Sequence, residues 1–338
     1  MNNIQLSICI PTYNREKYLK EAIESITCQL DDSLVDKVEI CISDNASTDN
    51  TKQLIENFQN QYKNITYFRQ SQNMGADYNY LKVVEIAHGK YCWFLSSDDA
   101  IINGAIKKIL LEIEMNSQID IFCVNNFCCD NNLRNPKIAK HSLRNINSDI
   151  IFNNYSYCMK KMADCFGYIS VFVFNKIKWD LYAKRKKFIG SAYSHTYILY
   201  SIMKNKGILK YIVKPLILYR SGNDSFATPI NPIKRTLLDI EGYHNIAIDV
   251  FGKKSKEAKY IDKIVLSNTI LLGFIYGILN DKITSKYRFI LLKTLFRNYN
   301  NYFIICFKFI PLAFMPKLLV KIIRWIYKKL LERNYNYK

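Results

Sequence analysis

The chain has 338 residues, of which 49% are hydrophobic and 14% aromatic, and this content excludes a wholly disordered protein because it supplies a large core. Its 48 Lys and Arg exceed its 29 Asp and Glu, giving a net charge of +19. A charge of this size favours an anionic partner, and the candidates are nucleic acid, anionic lipid and phosphorylated substrates.

The first 125 residues alternate strand-like and helix-like patterns. The predicted strands are Leu6–Ile10, Val38–Ser43, Ile65–Arg69, Tyr91–Leu95 and Ile119–Val124. The predicted helices are Arg15–Gln29, Ser47 or Thr48 to Phe58, Gly75–His88 and Asn103–Met115. Repeated β-α units with short loops predict an α/β fold with a mainly parallel, doubly wound sheet. Such sheets bind ligands beyond the carboxyl ends of their strands, so the loops after the first four strands are candidate binding loops.

The pattern is less regular in the middle of the chain. Asp130–Asn154 is Asn-rich and polar, which predicts a variable loop. The elements predicted beyond it are a helix at Tyr155–Ala163, a strand at Tyr168–Phe174, a helix from Ala192, and strands at Ile208–Val213 and Leu216–Tyr219.

From Lys254 onward the chain is predicted to be helical. Ile264–Asn280 is uncharged, but it is short for a membrane span and contains Ser267, Asn268 and Thr269, so a buried helix is favoured. Arg288–Lys338 carries eleven Lys and Arg and a single Glu. Four basic residues recur on one helical face beside apolar neighbours: Lys317, Lys321, Arg324 and Lys328. This composition predicts a helix in an anionic membrane interface; the alternative is a helix docked on the protein with its basic face in water.

The ten cysteines and the N-terminus indicate a compartment. Cys9 and Cys41 lie in apolar runs, no CxxC pair occurs, and the adjacent Cys128 and Cys129 lack a metal-ligand spacing. Reduced thiols are therefore expected. The first residues also lack the basic and apolar regions of a signal peptide. Together these features predict a cytoplasmic protein.

The first two candidate loops carry groups suited to a nucleotide. Pro11-Thr12-Tyr13-Asn14-Arg15 precedes a helix, and the first N–H groups of that helix and the Tyr13 ring can hold a nucleotide. The second loop contains Asp44, whose carboxylate can accept the imide N–H of uracil or an amino group of another base. Ordinary helix capping is the alternative for both loops.

The third and fourth loops add polar and acidic groups. Asn73-Met74-Gly75-Ala76-Asp77 opens a helix, and Ser96-Ser97-Asp98-Asp99 follows the fourth strand. Adjacent carboxylates at a strand end suit a divalent cation that bridges two phosphates and neutralises charge on a departing nucleoside diphosphate. A capping or solvated Asp pair is the alternative.

Taken together, the runs PTYNR, SDNASTDNT, QNMG and FLSSDD resemble the donor-binding half of the family 2 glycosyltransferases with the GT-A fold, over about Leu6–Ile106. The resemblance implies an inverting enzyme, nucleotide contacts from the first two loops, and Asp98 as the carboxylate that holds Mg²⁺ or Mn²⁺. The residues expected at the nucleotide and donor are Pro11, Thr12, Tyr13, Arg15, Asp44, Asn73, Gly75, Ser96 and Ser97. The family pattern at the fourth loop is Asp-x-Asp-Asp, and here Ser96 replaces its first Asp. A weaker metal site is therefore expected, or one that relies more on donor phosphates and on Asp99.

The second half resembles the family more loosely, because its usual Glu-Asp pair is absent. The stretch Phe188–Tyr197, with Gly167–Ser170 before it and Tyr219–Asn223 after it, resembles the abequosyltransferase-type O-antigen subgroup. Inverting transfer needs a base for the acceptor hydroxyl, and His195 can serve at neutral pH; a structural His is the alternative, and Asp164 is the second candidate. Arg220 can pair with the donor's diphosphate or with an anionic acceptor, because Arg holds phosphate oxygens bidentately, although a surface salt bridge is equally compatible.

These features predict a GT-A domain over residues 1–225, with a donor half at 1–125 and an acceptor half at 155–225, followed by a basic helical region at 226–338. The expected function is transfer of a sugar to a saccharide acceptor, lipid-linked and at the cytoplasmic face of a membrane, in surface polysaccharide synthesis. A dinucleotide-dependent oxidoreductase is disfavoured because no GxG occurs. A catalytically inactive relative and a nucleic-acid-binding protein are the alternatives. Because the positive charge concentrates at an apolar C-terminal end, no nucleic-acid partner is expected.

Overall fold

The computed structural model describes residues 4–138, 146–222, 232–279, 284–299 and 302–322, together with Trp325. The chain forms two compact units, Met1–Asn223 and Asp224–Lys338. All ten cysteines are free thiols.

Within the described residues, the first unit is built on a ten-stranded sheet. Its strands are β1 Leu6–Thr12, β2 Val38–Asp44, β3 Ile65–Arg69, β4 Tyr91–Phe94, β5 Ala100–Ile101, β6 Ile121–Cys129, β7 Lys137–Ile138, β8 Ile150–Phe152, β9 Phe172–Asn175 and β10 Leu209–Arg220. The order is β3-β2-β1-β4-β9-β6-β10-β5, with β7 paired to β6 and β8 to β10. Strands β3, β2, β1 and β4 pair in parallel, as do β6 and β10, whereas β9 runs antiparallel between β4 and β6. The predicted mainly parallel sheet is therefore present.

The strand order creates a crevice beside β1. The chain passes from β1 outward to β2 and β3, then returns to place β4 on the other side of β1. Strands β1, β2 and β4 are buried along their whole length, as expected for parallel strands covered on both faces. A reversal of this kind leaves a crevice beyond the carboxyl ends of β1 and β4, the usual ligand position in open α/β sheets.

Seven helices connect the described strands of this unit. They are α1 Glu16–Thr27, α2 Thr51–Gln61, α3 Ala76–Glu85, α4 Ala105–Met115, α5 Tyr155–Met162, α6 Lys176–Ala183 and α7 Ser194–Lys204. The side chains of Asn154 and Asn175 cap α5 and α6 by accepting a backbone N–H. In α1, Leu19, Ile23 and Ile26 are fully buried and form one apolar stripe at helical spacing.

Some elements differ from the sequence predictions. The strand predicted at Tyr168–Phe174 begins only at Phe172, because Ile169–Val171 forms a 3₁₀ turn. The two strands predicted on either side of Pro215 form one strand, β10, whose register shifts on both sides of Pro215, a residue that has no N–H to donate. Helix α6 was not predicted. The variable loop predicted at Asp130–Asn154 contains the short strands β7 and β8, and its residues 139–145 lie outside the described residues.

The described part of the second unit is helical. Its helices are α8 Pro232–Phe251, α9 Lys256–Val265, α10 Leu271–Leu279, α11 Ser285–Asn298, α12 Tyr302–Ile304 and α13 Ile310–Phe314, with π-helical turns at Leu266–Ile270 and Ile305–Phe309. Tyr299 is fully buried and donates its hydroxyl to the Ile240 carbonyl. The uncharged segment buries Ile270, Phe274 and Ile278 at a spacing of four. A search of the described residues finds no helix with the length and apolar character that crossing a membrane requires.

Candidate functional site

Two loops meet at the crevice between β1 and β4. Arg15, at the start of α1, places its Nη1 3.8 Å from Oδ2 of Asp98, which follows β4. Both side chains are partly open, with 15% and 16% of their surface exposed. An arginine and a carboxylate that face each other here place a positive and a negative charge at the position where sheets of this type bind ligands.

Ser96 supports Asp98 from within the same loop. Its hydroxyl donates to Oδ1 of Asp98 at 2.5 Å. Ser97, between them, is buried. Asp98 therefore has one oxygen held by Ser96 and the other directed towards Arg15, while part of its surface remains open.

Asp99 has a different environment although it adjoins Asp98. Its Oδ2 accepts the hydroxyls of Tyr168 and Ser170, each at 2.6 Å, and its Oδ1 accepts the backbone N–H of Arg220 at 3.0 Å. Burial and the neighbouring charge of Asp98 raise the pKa of Asp99 to about 7. Since its side chain is buried and both oxygens bind protein donors, the geometry does not fit the metal-ligand role predicted for Asp99.

Arg220 is enclosed rather than open to a ligand. Its guanidinium donates to the carbonyls of Asp98 and Asn131 and to the carboxylate of Glu21, at 2.6–2.7 Å, and lies over the ring of Tyr18. Only 1% of its side chain is exposed. The predicted diphosphate contact and the alternative surface salt bridge both fit poorly, because this side chain joins the Asp98 loop to α1 within the protein.

Asp44 also lies below the surface. Its Oδ1 accepts the N–H of Ser47, and its Oδ2 accepts the hydroxyl of Tyr67 at 2.9 Å and lies 3.4 Å from Nε of Arg69. The Asp44 side chain has no exposed surface, whereas that of Arg69 is 42% exposed. Arg69 is therefore the open member of this cluster.

An amide network joins the first three loops. The Asn79 side chain donates to the carbonyls of Thr12 and Ser43 and accepts hydrogen bonds from Ser43 and Gln70. Asn45 donates to Asn73, and the Asn73 side chain also accepts the N–H of Gly75.

The remaining residues predicted in these loops differ in exposure. Pro11 is buried, and the buried hydroxyl of Thr12 has no hydrogen-bond partner among the described residues. Tyr13 is 42% exposed, and Gly75, with φ 85°, meets no atom within 4 Å of an added Cβ.

The two candidates for the base lie in the second half of the unit. His195 is the second residue of α7 and is 1% exposed, with its ring edge-on to Tyr80 and its Nε2 3.3 Å from the Thr196 hydroxyl. Asp164 is half-buried in a 3₁₀ turn at Ala163–Gly167.

The described residues contain no group of three His, Cys, Asp or Glu side chains that can hold a metal ion. Asp98 with the Ser96 hydroxyl therefore supplies at most part of a coordination shell. Mg²⁺ is commonly bound in this way, by one or two carboxylates together with waters and substrate phosphates. These residues fit a cation that arrives with a diphosphate.

Several site residues were not anticipated from the sequence: Tyr67, Arg69, Tyr168 and Ser170. Tyr168 and Ser170 lie in the Gly167–Ser170 segment that carries the subgroup resemblance, which was the available signal. Arg69 ends a strand whose following loop was expected to bind ligand. Nothing in the sequence singled out Tyr67, since a polar aromatic residue within a strand is common and marks no particular function.

The chain resembles known proteins in sequence. The model described as Glycosyl transferase family 2 matches residues 7–178. Abequosyltransferase RfbV of Salmonella typhimurium is 35% identical over 299 residues, which cover 82% of this chain and 86% of that protein. A Campylobacter jejuni protein, GalNAc(5)-diNAcBac-PP-undecaprenol beta-1,3-glucosyltransferase, is 35% identical over 107 residues, which cover 31% of this chain and 33% of that protein.

Solved structures share the fold at low sequence identity. S. aureus TarS 1-349 in complex with UDP-GlcNAc has a TM-score of 0.59 at 16% identity, covering 86% of this chain and 85% of that one. Mannosyltransferase PcManGT from Pyrobaculum calidifontis, in complex with GDP-Man and Mn²⁺, has a TM-score of 0.53 at 14% identity, covering 93% and 87%. The predicted fold class is confirmed.

Proposed function

The chain belongs to glycosyl transferase family 2 and is a glycosyltransferase with the GT-A fold, and we propose that it moves a sugar from a nucleoside diphosphate sugar to a saccharide acceptor with inversion at the anomeric carbon. The observation that carries this proposal is the pairing of Arg15 with a partly open Asp98 at the crevice between β1 and β4. In this proposal Arg15 binds the donor phosphates in that crevice and Asp98 holds a cation there.

The donor nucleotide is proposed to lie over the first two loops. The N–H groups at the start of α1 and the side chain of Arg15 are suited to the diphosphate, and the exposed Tyr13 ring to the base or sugar. Because Asp44 is enclosed, we assign it an indirect role: it orients Arg69, which has the exposed surface needed to meet a base. The UDP-GlcNAc and GDP-Man bound by the structural neighbours support this donor class without fixing the base.

A divalent cation, Mg²⁺ or Mn²⁺, is proposed at Asp98, with the Ser96 hydroxyl beside it. When bound, the ion neutralises the charge of the departing nucleoside diphosphate. Arg220 holds the Asp98 loop in place, because its backbone N–H donates to the Asp99 carboxylate and its guanidinium donates to the Asp98 carbonyl. The Mn²⁺ in the PcManGT complex supports a metal requirement.

A base must accept the proton of the acceptor hydroxyl while that oxygen attacks the anomeric carbon from the face opposite the leaving phosphate. We propose His195 for this role, with Asp164 as the alternative. Burial is the main physical objection to His195, since only 1% of its surface is exposed. Asp164 is more open. The pH dependence of kcat/KM, measured in His195→Ala and in Asp164→Ala, distinguishes the two candidates.

The acceptor is proposed to be a lipid-linked saccharide in the synthesis of a bacterial surface polysaccharide such as O-antigen. The abequosyltransferase similarity extends over most of both chains and supports this assignment. The name of the Campylobacter relative, which includes an undecaprenol-linked saccharide, supports a lipid carrier.

The second unit is proposed to bind the cytoplasmic face of an anionic membrane. Between Thr284 and Leu331 the sequence has ten Lys and Arg and no acidic residue. In the described part of this stretch, nine large apolar side chains are exposed: Phe289, Phe296, Phe303, Phe307, Phe314, Leu318, Leu319, Ile322 and Trp325. Exposed aromatic and aliphatic groups among basic residues match the interface between headgroups and acyl chains.

Thermal unfolding with a panel of nucleoside diphosphates and their sugars, with and without Mn²⁺, tests the donor site. A ligand at about 100 times its Kd adds about 2.7 kcal/mol to the stability. We expect a Mn²⁺-dependent stabilisation by one nucleotide class that is lost in Asp98→Asn. It should persist in Asp180→Asn, a control at a surface pair on α6. No stabilisation by any nucleotide would favour an inactive relative.

A further inference from the structure

Asp77 is a buried carboxylate that binds main-chain groups distant in sequence. Its Oδ2 accepts the N–H groups of Gly190 and Ala192, both at 2.8 Å, and its Oδ1 accepts that of Ser194 at 2.9 Å. Only 2% of Asp77 is exposed. A buried carboxylate is costly unless its oxygens are hydrogen-bonded, and these N–H groups meet that requirement.

The segment that Asp77 binds has an unfavourable backbone conformation. Lys186, Phe188 and Ala192 have φ angles of 45°, 62° and 65°, and Gly190 has φ 91°. A non-glycine residue in the left-handed region is strained and persists only where surrounding contacts enforce it. The three hydrogen bonds to Asp77 are such contacts, so this carboxylate holds the segment in its observed conformation.

Asp77 also lies between the third loop and the start of α7. It is in the first turn of α3, two residues after Gly75 of the third loop, and Ser194 is the first residue of α7. The carboxylate therefore lies at the N-terminal ends of two helices, where the helix dipoles favour a negative charge. Tyr80, one turn further along α3, contacts the ring of His195. The same helix thus borders both the donor loop and the start of α7.

We propose that Asp77 is a positioning residue that fixes Phe188–Ser194 as the acceptor-side wall of the site and aligns it with the bound donor. This proposal rests on the proposed transfer reaction. Asp77 does not touch the reacting atoms; it acts through the backbone of the segment and through the start of α7. The segment, with Ile189 42% exposed, then meets the acceptor.

Hydrogen exchange by mass spectrometry on the full chain tests the structural part without any substrate. In Asp77→Asn, an amide NH₂ replaces one carboxylate oxygen and cannot accept a hydrogen bond from the backbone N–H groups. Faster exchange is therefore expected in peptides covering 184–196, while the exchange of the sheet stays unchanged. Asp31→Asn is the matched control, because Asp31 also accepts a backbone N–H, from Ser33 in the loop between α1 and β2. Unchanged exchange at 184–196 in Asp77→Asn would overturn the proposal.

Activity tests the positioning part. With lipid-linked saccharides extracted from bacterial membranes as acceptor, Asp77→Asn is expected to lower transfer at least tenfold and to leave nucleotide affinity and donor hydrolysis by water within threefold. Adding Ala192→Gly is expected to recover part of the loss, since glycine adopts φ 65° without strain. Equal loss of transfer and hydrolysis, or no recovery with Ala192→Gly, would contradict the proposal. Absence of transfer by the unaltered chain would instead count against the proposed function.

Discussion

Asp98 and Asp99 show how neighbouring identical side chains acquire different roles. Asp98 keeps exposed surface and faces Arg15, whereas Asp99 is buried and accepts three hydrogen bonds from Tyr168, Ser170 and the Arg220 backbone. The open carboxylate of Asp98 can bind a cation, including one that is also bound to phosphate. The enclosed carboxylate of Asp99, whose two oxygens both accept hydrogen bonds, can orient the residues around it. The chemistry of the site therefore depends on residues about 70 and 120 positions further along the chain.

Ser170→Ala is expected to weaken this support. The substitution removes the hydroxyl that donates to Asp99 and accepts the N–H of Ser96. Leaving buried polar groups without a partner costs about 1–3 kcal/mol, so the free energy of unfolding should fall by that amount, measured by denaturant titration. Ser201→Ala is the control, since the Ser201 hydroxyl donates to the Tyr197 carbonyl of its own helix. An equal loss in both variants would show that Ser170 has no special role.

The sequence was sufficient to predict that the loops lie close together, but not which of their side chains are exposed. The four loops could be assigned to one edge of the sheet because the carboxyl ends of parallel strands meet there. Whether Asp44, Asp99 and Arg220 are open or enclosed depends on tertiary contacts with Tyr67, Tyr168 and Glu21, which no local pattern encodes. The site roles predicted for these residues stay predictions, and for all three the geometry favours a supporting role.

At the scale of elements, the regular first half was predicted closely and the second half less so. Strand β3 was predicted at its observed bounds, Ile65–Arg69, and β1 and β2 run one or two residues longer than predicted. The errors fall where tertiary contacts override local preference. Pro215 interrupts the pattern of β10 without ending the strand, and the 3₁₀ turn at Ile169–Val171 places Ser170 against Asp99.

Gly89→Ala tests the packing at the amino ends of the strands, which lie opposite the carboxyl ends that carry the candidate site. A Cβ at Gly89 would lie 2.5 Å from Oγ and 2.7 Å from the backbone N of Ser7, at the start of β1. Overpacking of this kind costs about 1–3 kcal/mol, and the upper end is expected because one contact is backbone. Nucleotide affinity should be unchanged, since the strain lies at the amino ends of the strands; stability and nucleotide titrations measure the two effects.

Gly104→Ala separates steric overlap from backbone strain. An added Cβ at Gly104 meets nothing within 4 Å, although its φ of 79° disfavours alanine. A loss of about 1 kcal/mol is expected from strain alone. A larger loss at Gly104 than at Gly89 would contradict the steric account.

At the scale of the whole molecule, the charge is unevenly distributed. Residues 224–338 carry 20 Lys and Arg against eight Asp and Glu, a net +12 of the +19 of the chain. The exposed rings of Phe303 and Phe307 lie 4.6 Å apart in this unit. Charge and exposed aromatic surface in the same unit support the proposed membrane binding, because affinity for an interface increases with buried apolar area and with attraction to anionic lipids.

Vesicle co-sedimentation tests the membrane proposal. The full chain is expected to bind vesicles of phosphatidylcholine with phosphatidylglycerol more strongly than phosphatidylcholine alone, and less strongly in high salt. The double variant Phe303→Ser, Phe307→Ser should bind at least tenfold more weakly, because burying one Phe is worth about 1.5–3 kcal/mol. Met115→Ser with Ile177→Ser, at similarly exposed positions of the first unit, should have no effect; equal binding by both double variants would exclude this surface.

Sugar transfer by the purified chain is the most direct measurement of the central claim. The donor is the nucleotide sugar that stabilises the protein, the acceptor is a lipid-linked saccharide extract, and the product is analysed by NMR. The account predicts a new glycosidic bond with the anomeric configuration opposite to that of the donor, and a rate at least a hundredfold lower in Asp98→Asn. A product that retains the donor configuration, or full transfer by Asp98→Asn, would contradict it.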